Sequence, residues 1–210
     1  MAKKNNDLNL KDMLSLKPIG DNQKVVFDTW DKDKNQFVFG AAGTGKTFIL
    51  LYKALQDVLN PNTEYDRVII VRSLIPTREI GFLPGDEEDK SALYQINYMN
   101  MVRFMFQQPN EQAFLMLFDR LKQQGSLHFM STSFLRGLTF DNSIIIVDEC
   151  QNLNFHELDT IITRVGQNSK ISFAGDFFQT DLTKSAEKNG LQDFVRILDN
   201  MPSFNVTELS

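Results

Sequence analysis

One stretch decides the fold of this chain: Gly40-Ala41-Ala42-Gly43-Thr44-Gly45-Lys46-Thr47. It satisfies the pattern G-x-x-x-x-G-K-[ST], follows an apolar run at residues 36–39 and opens a helical segment at residues 46–59. Glycines let the backbone curl around an anion so that consecutive amide N–H groups point inward, and the N-terminus of the following helix adds a favourable dipole. The sequence therefore predicts a phosphate-binding loop between a strand and a helix.

Two side chains at the end of this loop have the spacing that a nucleoside triphosphate requires. Lys46 is predicted to reach the β- and γ-phosphates, and the Thr47 hydroxyl is predicted to bind the Mg²⁺ that bridges them. A glycine-rich turn with a solvated lysine is the alternative, which the flanking strand and helix disfavour. ATP and Mg²⁺ are the predicted cofactors. The backbone of the loop is predicted to hold the phosphates at Gly40, Ala41, Ala42, Gly43, Thr44 and Gly45.

An apolar strand pattern at residues 143–148 ends in two adjacent carboxylates, Asp148 and Glu149. Ligands bind at the carboxyl ends of strands in a doubly wound sheet, so both acids are predicted to lie opposite the phosphate loop. Because successive residues point to opposite sides, Asp148 is predicted to hold the Mg²⁺ hydration shell and Glu149 to polarise the attacking water. A loop start and helix cap is the alternative. Together with the phosphate loop, the pair predicts hydrolysis.

A third apolar run ends in a polar turn at residues 173–179. Gln179 is predicted to hydrogen-bond the γ-phosphate or the attacking water, and so to sense whether a triphosphate or a diphosphate is bound. An ordinary turn is the alternative interpretation. Cys150 is interpreted as a packing residue, and His128 and His156 as structural, because no zinc-ligand set accompanies them.

Short apolar runs alternate with helical segments along the chain, which is typical of α/β folds. Strands are predicted at residues 36–39, 67–71, 126–130, 143–148 and 170–174. Helices are predicted at residues 46–59, 90–107, 111–124, 155–165 and 191–199. Several strands lack polar alternation, as expected when both faces are covered. The predicted fold is therefore α/β, a P-loop domain with a largely parallel central sheet flanked by helices.

The length of 210 residues suits one domain, which we place at residues 21–210 after a flexible polar tail at residues 1–20. A small helical insertion at about residues 89–125 is a further hypothesis. A single cysteine excludes intramolecular disulfides, and no run approaches membrane-spanning length, so we expect a cytoplasmic protein, in the host cytoplasm if the source is a phage. The net charge of -5 gives no overall attraction to nucleic acid, which would need a local basic patch.

With these motifs in this order, the chain resembles the PhoH family of phosphate-starvation-inducible ATPases, whose core is similar to the first RecA-like domain of superfamily 1 helicases. The resemblance runs from about residue 21 to the end of the sequence. Besides the phosphate loop and Val147-Asp148-Glu149-Cys150-Gln151-Asn152, it rests on Asn22-Gln23, Val71-Arg72, Gly81-Phe82-Leu83-Pro84-Gly85-Asp86, Phe134-Leu135-Arg136-Gly137, Thr163-Arg164-Val165-Gly166 and Gly175-Asp176 with Gln179. Leu138 and Cys150 depart from the common family pattern.

The resemblance implies roles for individual residues. Gln23 would read the adenine edge, Asp148 and Glu149 would be the Walker B acids, and Gln179 would be the motif III glutamine. A RecA-like fold is implied for the whole domain.

The resemblance also implies a homo-oligomeric ring, for example a hexamer, in which a neighbouring subunit completes each ATP site. Arg136 and Arg164 are the candidates for an arginine acting in trans, where a guanidinium would stabilise charge on the transferring phosphoryl group. Pairing of both arginines with surface acids is the alternative.

Two functions remain open at this point. The leading one is ATP hydrolysis coupled to binding or remodelling of RNA or single-stranded DNA. The rival is an ATP-gated oligomeric switch or assembly factor acting on a protein partner, which the acidic net charge favours. A kinase is less favoured because Glu149 is better suited to activating water.

The residues that would contact nucleic acid fall near a loop rich in helix breakers at residues 73–88. Arg72 and Arg78 are predicted to contact backbone phosphates. Phe82, Phe134 or Phe140 would stack on bases, with a core position as the alternative for each.

Overall fold

The computed structural model describes residues 8–72, 87–176 and 185–210, with side chains from residue 95 in the second range and from residue 190 in the third. The helices are α1 Asp21–Trp30, α2 Lys46–Leu59, α3 Glu87–Phe106, α4 Glu111–Gln123, α5 Phe155–Ile162 and α6 Ser185–Asp199. The strands are β1 Asn35–Gly40, β2 Arg67–Arg72, β3 Leu127–Ser131, β4 Ser143–Asp148, β5 Lys170–Gly175 and β6 Phe204–Leu209. Short 3-10 turns lie at Leu10–Asp12, Thr132–Phe134 and Cys150–Asn152.

The strands within the described residues form one sheet in the order β3-β2-β4-β5-β1-β6, and each neighbouring pair is parallel. This arrangement confirms the predicted α/β class and the parallel sheet. Because all strands run the same way, their carboxyl ends share one edge of the sheet. The phosphate loop after β1 and the acid pair after β4 both lie at that edge, separated by β5.

Hydrophobic cores cover both faces of the sheet, which explains the continuous apolar runs in the sequence. In β4, Ile144 and Ile146 pack in the core formed with α2, α3 and α4. Ile145 and Val147 pack in the other core, which includes α5 and α6. The strand is buried along its whole length, so its last residue, Asp148, and the Glu149 that follows it have a defined position.

Sequence patterns missed two elements, α1 and β6. Strand β6 pairs with β1 alone and lies at the edge of the described sheet, so its apolar residues alternate with polar ones such as Asn205 and Thr207. Helix α1 contributes only Val26 and Trp30 to the buried core, which leaves little periodic signal. Helix α6 begins before the predicted start at residue 191, and α5 ends at Ile162, before the predicted end at residue 165.

The segment before α1 packs against the domain from residue 8 onward. Leu8 and Met13 are buried, and the Leu14 amide donates to the Met105 carbonyl at 2.8 Å. The Leu16 amide donates to the Tyr52 hydroxyl at 2.8 Å. Spaced apolar side chains anchor these residues, so residues 8–16 belong to the fold rather than to the mobile tail that their polarity predicts.

Helices α3 and α4 form the connection between the adjacent parallel strands β2 and β3. Their apolar side chains, including Tyr98, Val102, Phe114 and Phe118, join the same core as α2. The helices predicted as an insertion therefore share the core of the domain. Among the helices that the structure describes, none combines the length and apolarity needed to cross a bilayer.

Candidate nucleotide-binding site

The phosphate loop has backbone conformations that favour glycine. Gly43 and Gly45 have φ angles of 82° and 85°, in the left-handed region that side chains disfavour. Gly40 has a φ of 144°, and a Cβ atom there would meet the carbonyl oxygen of Leu209 in β6 at 2.0 Å. The loop can therefore turn sharply at the sheet edge only because its first residue has no side chain.

Lys46 lies at the start of α2 with its ammonium group over the loop. Its Nζ atom donates to the carbonyls of Gly40 at 2.8 Å and Ala41 at 2.7 Å. The Thr44 hydroxyl also donates to the Ala41 carbonyl, at 2.9 Å. These bonds place a positive charge beside the loop, as binding of a phosphate requires.

The Thr47 hydroxyl donates to Oδ1 of Asp148 at 2.6 Å. The two residues are 101 positions apart in sequence, and the sheet topology brings them together. A hydroxyl beside a carboxylate at a phosphate loop is a donor set that fits Mg²⁺, which takes few protein ligands together with phosphate oxygens and waters. Within the described ranges, no cluster of three or more His, Cys, Asp or Glu residues forms a protein-only metal cage.

Glu149 follows with a left-handed backbone, at φ 52° and ψ 41°. Such a conformation is unfavourable for glutamate, and strain of this kind is concentrated at functional sites. The residue occupies the N-cap position of the 3-10 turn Cys150–Asn152, but its side chain makes no capping hydrogen bond there. Its carboxylate instead accepts a hydrogen bond from the Gln151 side chain and lines the same cleft as Lys46 and Thr47.

Gln151 joins the ends of two strands and was given no role by the sequence. Its amide nitrogen donates to Glu149, and its amide oxygen accepts from the backbone N–H of Asp176 at 3.0 Å. The residue is buried, and a Cβ atom at Gly175 would meet the Gln151 oxygen at 3.1 Å and the Cys150 sulfur at 2.7 Å. Close packing at Gly175 thus lets one side chain connect Glu149 after β4 to the end of β5.

Tyr98 on α3 also enters the site, without any signal in the sequence pattern. Its hydroxyl donates to Oδ2 of Asp148 at 2.6 Å. Burial, followed by the negative charge of Asp148, raises the pKa of Tyr98, so its proton is retained. Both oxygens of Asp148 are therefore hydrogen-bonded, one to the phosphate loop and one to α3.

Arg72 is the last residue of β2 and lies inside this site. Burial alone would lower the pKa of its guanidinium, but Tyr98, Asp148 and Glu149 raise it. The side chain lines the same cleft as Tyr98 and Asp148. Strand β2 therefore extends one residue beyond its predicted end at residue 71 and includes Arg72.

Gln23 lies on α1 next to the phosphate loop. Its Oε1 atom accepts from the Ile19 amide at 2.9 Å, and its Nε2 atom lies 3.9 Å from the position of a Cβ atom at Gly45. Helix α1 therefore carries a side-chain amide to the border of the phosphate loop.

Comparison with known proteins identifies the family. A protein-family model described as PhoH-like protein matches residues 15–210. The chain belongs to the PhoH family. A PhoH-like protein of Synechocystis sp. is 36% identical over 180 residues, covering 85% of this chain and 52% of that protein. Protein PhoH of Escherichia coli K12 is 33% identical over 159 residues, covering 75% and 42% respectively.

This PhoH-family chain spans about half the length of the curated relatives it matches. Among solved structures, Bacteroides sp. Pif1 in complex with ADP-AlF4 covers 92% of this chain, and the match takes in 42% of that chain, at 17% identity and a TM-score of 0.44. Bacteroides Pif1 bound to ssDNA is 18% identical with a TM-score of 0.41, covering 92% of this chain and 42% of that chain.

The candidate trans arginines of this PhoH-family chain lie outside the cleft that its own phosphate loop lines. Arg136 is exposed and lines an open cleft with Ser133 and His156. Arg164 is half-buried, with hydrogen bonds to the carbonyls of Thr160 at 3.2 Å and Leu138 at 3.3 Å. Its own carbonyl accepts from Phe140 just before β4, at the opposite end of the sheet from the phosphate loop.

Phe134 and Phe140, both predicted to stack on bases, differ in exposure. Phe134 is 56% exposed, whereas Phe140 is only 7% exposed and belongs to the core, so the stacking role predicted for Phe140 is wrong. Gln179, Arg78 and Phe82 lie outside the described residues.

Cys150 and the two histidines also have distinct surroundings. Cys150 is fully buried, which raises the pKa of its thiol and keeps it protonated. His128 lies within hydrogen-bond distance of the Gly125 carbonyl, at 2.9 Å, as a structural residue would. His156 is exposed and lines the cleft beside Arg136.

Proposed function

We propose that this protein binds Mg-ATP at the phosphate loop and hydrolyses it. The observation that carries this proposal is the 2.6 Å hydrogen bond from Thr47 to Asp148, which joins the phosphate loop to the acid pair. With Lys46 and Glu149 lining the same cleft, one surface offers groups for the phosphates, for Mg²⁺ and for water. Membership of the PhoH family supports the assignment.

In the proposed reaction, the loop amides and Lys46 hold the triphosphate and orient it. Mg²⁺, when bound, neutralises charge that develops on the transferring phosphoryl group. Glu149 accepts a hydrogen bond from the attacking water and polarises it towards the γ-phosphate. Gln151 holds the Glu149 carboxylate with its amide nitrogen and the backbone N–H of Asp176 with its amide oxygen. Gln23 is proposed to read the adenine edge, and Gln179 to sense the γ-phosphate.

We propose further that hydrolysis is coupled to RNA or single-stranded DNA. The surface after β3 supports this idea, because Arg136 lines an open cleft with the hydroxyls of Thr132 and Ser133, beside His156 and Glu157. Phe134 is exposed next to Ser133 in the chain. A guanidinium and hydroxyls suit a phosphate backbone, and an exposed aromatic ring suits base stacking.

Arg136 also stays a candidate for acting in trans within an oligomeric ring, since its exposed guanidinium can reach a neighbouring subunit. The two roles make different predictions. A trans role predicts that Arg136→Ala lowers basal hydrolysis by about 10³-fold or more. A nucleic-acid role predicts unchanged basal hydrolysis and a loss of stimulation, which Phe134→Ala would share.

The test is steady-state ATP hydrolysis with Mg²⁺, in the presence and absence of single-stranded RNA and DNA, beside both variants. Stimulation by a single strand that is lost in Phe134→Ala would support coupling to nucleic acid. Hydrolysis that responds to neither single-stranded RNA nor single-stranded DNA would contradict this coupling and favour an ATP-gated switch acting on a protein. Absence of ATP binding would contradict the whole proposal.

A further inference from the structure

Asp148 is held by two different parts of the fold. Its Oδ1 atom accepts from Thr47, at the end of the phosphate loop, and its Oδ2 atom accepts from Tyr98, in the middle of α3. Asp148 and Tyr98 are both buried. A buried carboxylate with each oxygen bonded to a hydroxyl has little freedom to rotate, so the Asp148 side chain has a defined orientation.

Tyr98 is itself fixed in place. It is only 1% exposed, and its ring packs against Phe129 of β3 with the centroids 5.5 Å apart. Arg72, at the end of β2, lines the same cleft as Tyr98 and Asp148. The Tyr98 hydroxyl has a single proton, which it donates to Asp148. The ring packing and this hydrogen bond together hold the hydroxyl against Asp148.

The same face of α3 continues along the nucleotide site. Met101 lines the cleft with Lys46 and Thr47. One turn further, the Phe104 ring meets Phe48 edge-on, with the centroids 5.7 Å apart. Tyr98, Met101 and Phe104 are spaced along one side of α3 and line a common cleft with Thr47 and Phe48. This side of α3 therefore faces the start of α2.

We propose that Tyr98 is a positioning residue for magnesium binding, which rests on the proposed function of this site. By holding Oδ2 of Asp148, the Tyr98 hydroxyl keeps Oδ1 turned towards Thr47. Asp148 and Thr47 are the residues that would hold Mg²⁺. Groups that hydrogen-bond a metal-facing ligand typically contribute about 10–100-fold to metal affinity.

The test compares Tyr98→Phe with Tyr52→Phe in the full chain. Tyr98→Phe removes the hydroxyl and keeps the ring that packs on Phe129. Tyr52 is an equally buried control, whose hydroxyl donates to the Leu14 carbonyl at 3.0 Å and has no contact with Asp148 in the described hydrogen bonds. The probe is a fluorescent ADP analogue, whose binding is measured at increasing Mg²⁺ and with EDTA.

The expected result is that Tyr98→Phe raises the Mg²⁺ concentration for half-maximal binding by about 10-fold and leaves binding in EDTA unchanged. Tyr52→Phe should change neither. Tyr98→Met, which also lacks the hydroxyl, should raise the Mg²⁺ requirement in the same direction, and gives a second test if Tyr98→Phe fails to fold, as judged by circular dichroism. Wild-type Mg²⁺ dependence in a folded Tyr98→Phe or Tyr98→Met, or an equal shift in Tyr52→Phe, would overturn the role of Tyr98. Wild-type protein that binds no nucleotide would instead overturn the proposed function.

Discussion

Replacing Gly40 with alanine should damage the sheet and the phosphate loop together. The new Cβ atom would lie 2.0 Å from the Leu209 carbonyl oxygen, and must move about 1.4 Å away to reach the 3.4 Å of ordinary contact. Gly40 and Leu209 are partners in the β1–β6 ladder, so the backbone on either side of this contact is held in place. The strain therefore cannot be relieved by rotating a side chain, and the end of β6 must separate from β1.

Two effects determine how far Gly40→Ala lowers the free energy of unfolding. An alanine in the left-handed region costs about 1–2 kcal/mol. Separating the strand ends loses one or two hydrogen bonds of about 1 kcal/mol each. We expect the free energy of unfolding to fall by about 2–4 kcal/mol, which lowers the melting temperature of a domain of this size by roughly 5–15 °C. Nucleotide binding should fall as well, because the loop begins at this residue.

Urea and thermal unfolding of three alanine variants would measure this effect. Gly43 has a φ of 82° with nothing within 4 Å of its Cβ position, so Gly43→Ala should cost only about 1 kcal/mol. Gly20 has a φ of -132° and equally open surroundings, so Gly20→Ala should change stability by no more than about 0.5 kcal/mol. Gly40→Ala that is as stable as Gly43→Ala would refute the assignment of a steric requirement to Gly40.

Two further changes test the site and the core. Gln151→Leu removes the bridge to Glu149 and should lower the turnover number by about 10-fold or more with little change in nucleotide affinity, whereas equal loss of both would indicate a collapsed site. Burial raises the pKa of the Asp57 carboxyl in the folded protein, despite a 2.7 Å hydrogen bond from Trp30. The contribution of Asp57 to the free energy of unfolding is therefore complete below the pKa that it has in the unfolded chain, and it is lost as the pH rises through the pKa in the folded protein. Urea unfolding of Asp57→Asn should therefore depend less on pH between about 4 and 6 than the wild type, while exposed Asp28→Asn serves as the control.

The sequence could predict the parts of the fold that have local causes. The apolar run of β4 and the fixed spacing from Gly40 to Thr47 each specify an element without knowledge of the rest of the chain. The acid pair could be placed near the loop because parallel strands end at one edge. The Thr47–Asp148 hydrogen bond bears out this placement.

Other parts depend on contacts that no local pattern contains. Tyr98 meets an acid 50 positions away, and Gln151 meets a backbone amide 25 positions away, so neither role could be inferred from spacing. Phe134 and Phe140 are the same residue type six positions apart, yet Phe140 is buried where a parallel bridge joins it to Val165. Burial of such residues is decided by the neighbours that the topology supplies.

The most direct test of the central claim is single-turnover ATP cleavage by the wild type and by Glu149→Gln, with Lys46→Ala as a binding control. Glutamine has the size of Glu149 and would still lie beside Gln151, but it lacks the negative charge that polarises water. We predict that Glu149→Gln binds Mg-ATP as the wild type does and cleaves it at least about 10²-fold more slowly, while Lys46→Ala binds it weakly. Cleavage by Glu149→Gln at the wild-type rate would contradict the assignment of hydrolysis to this site.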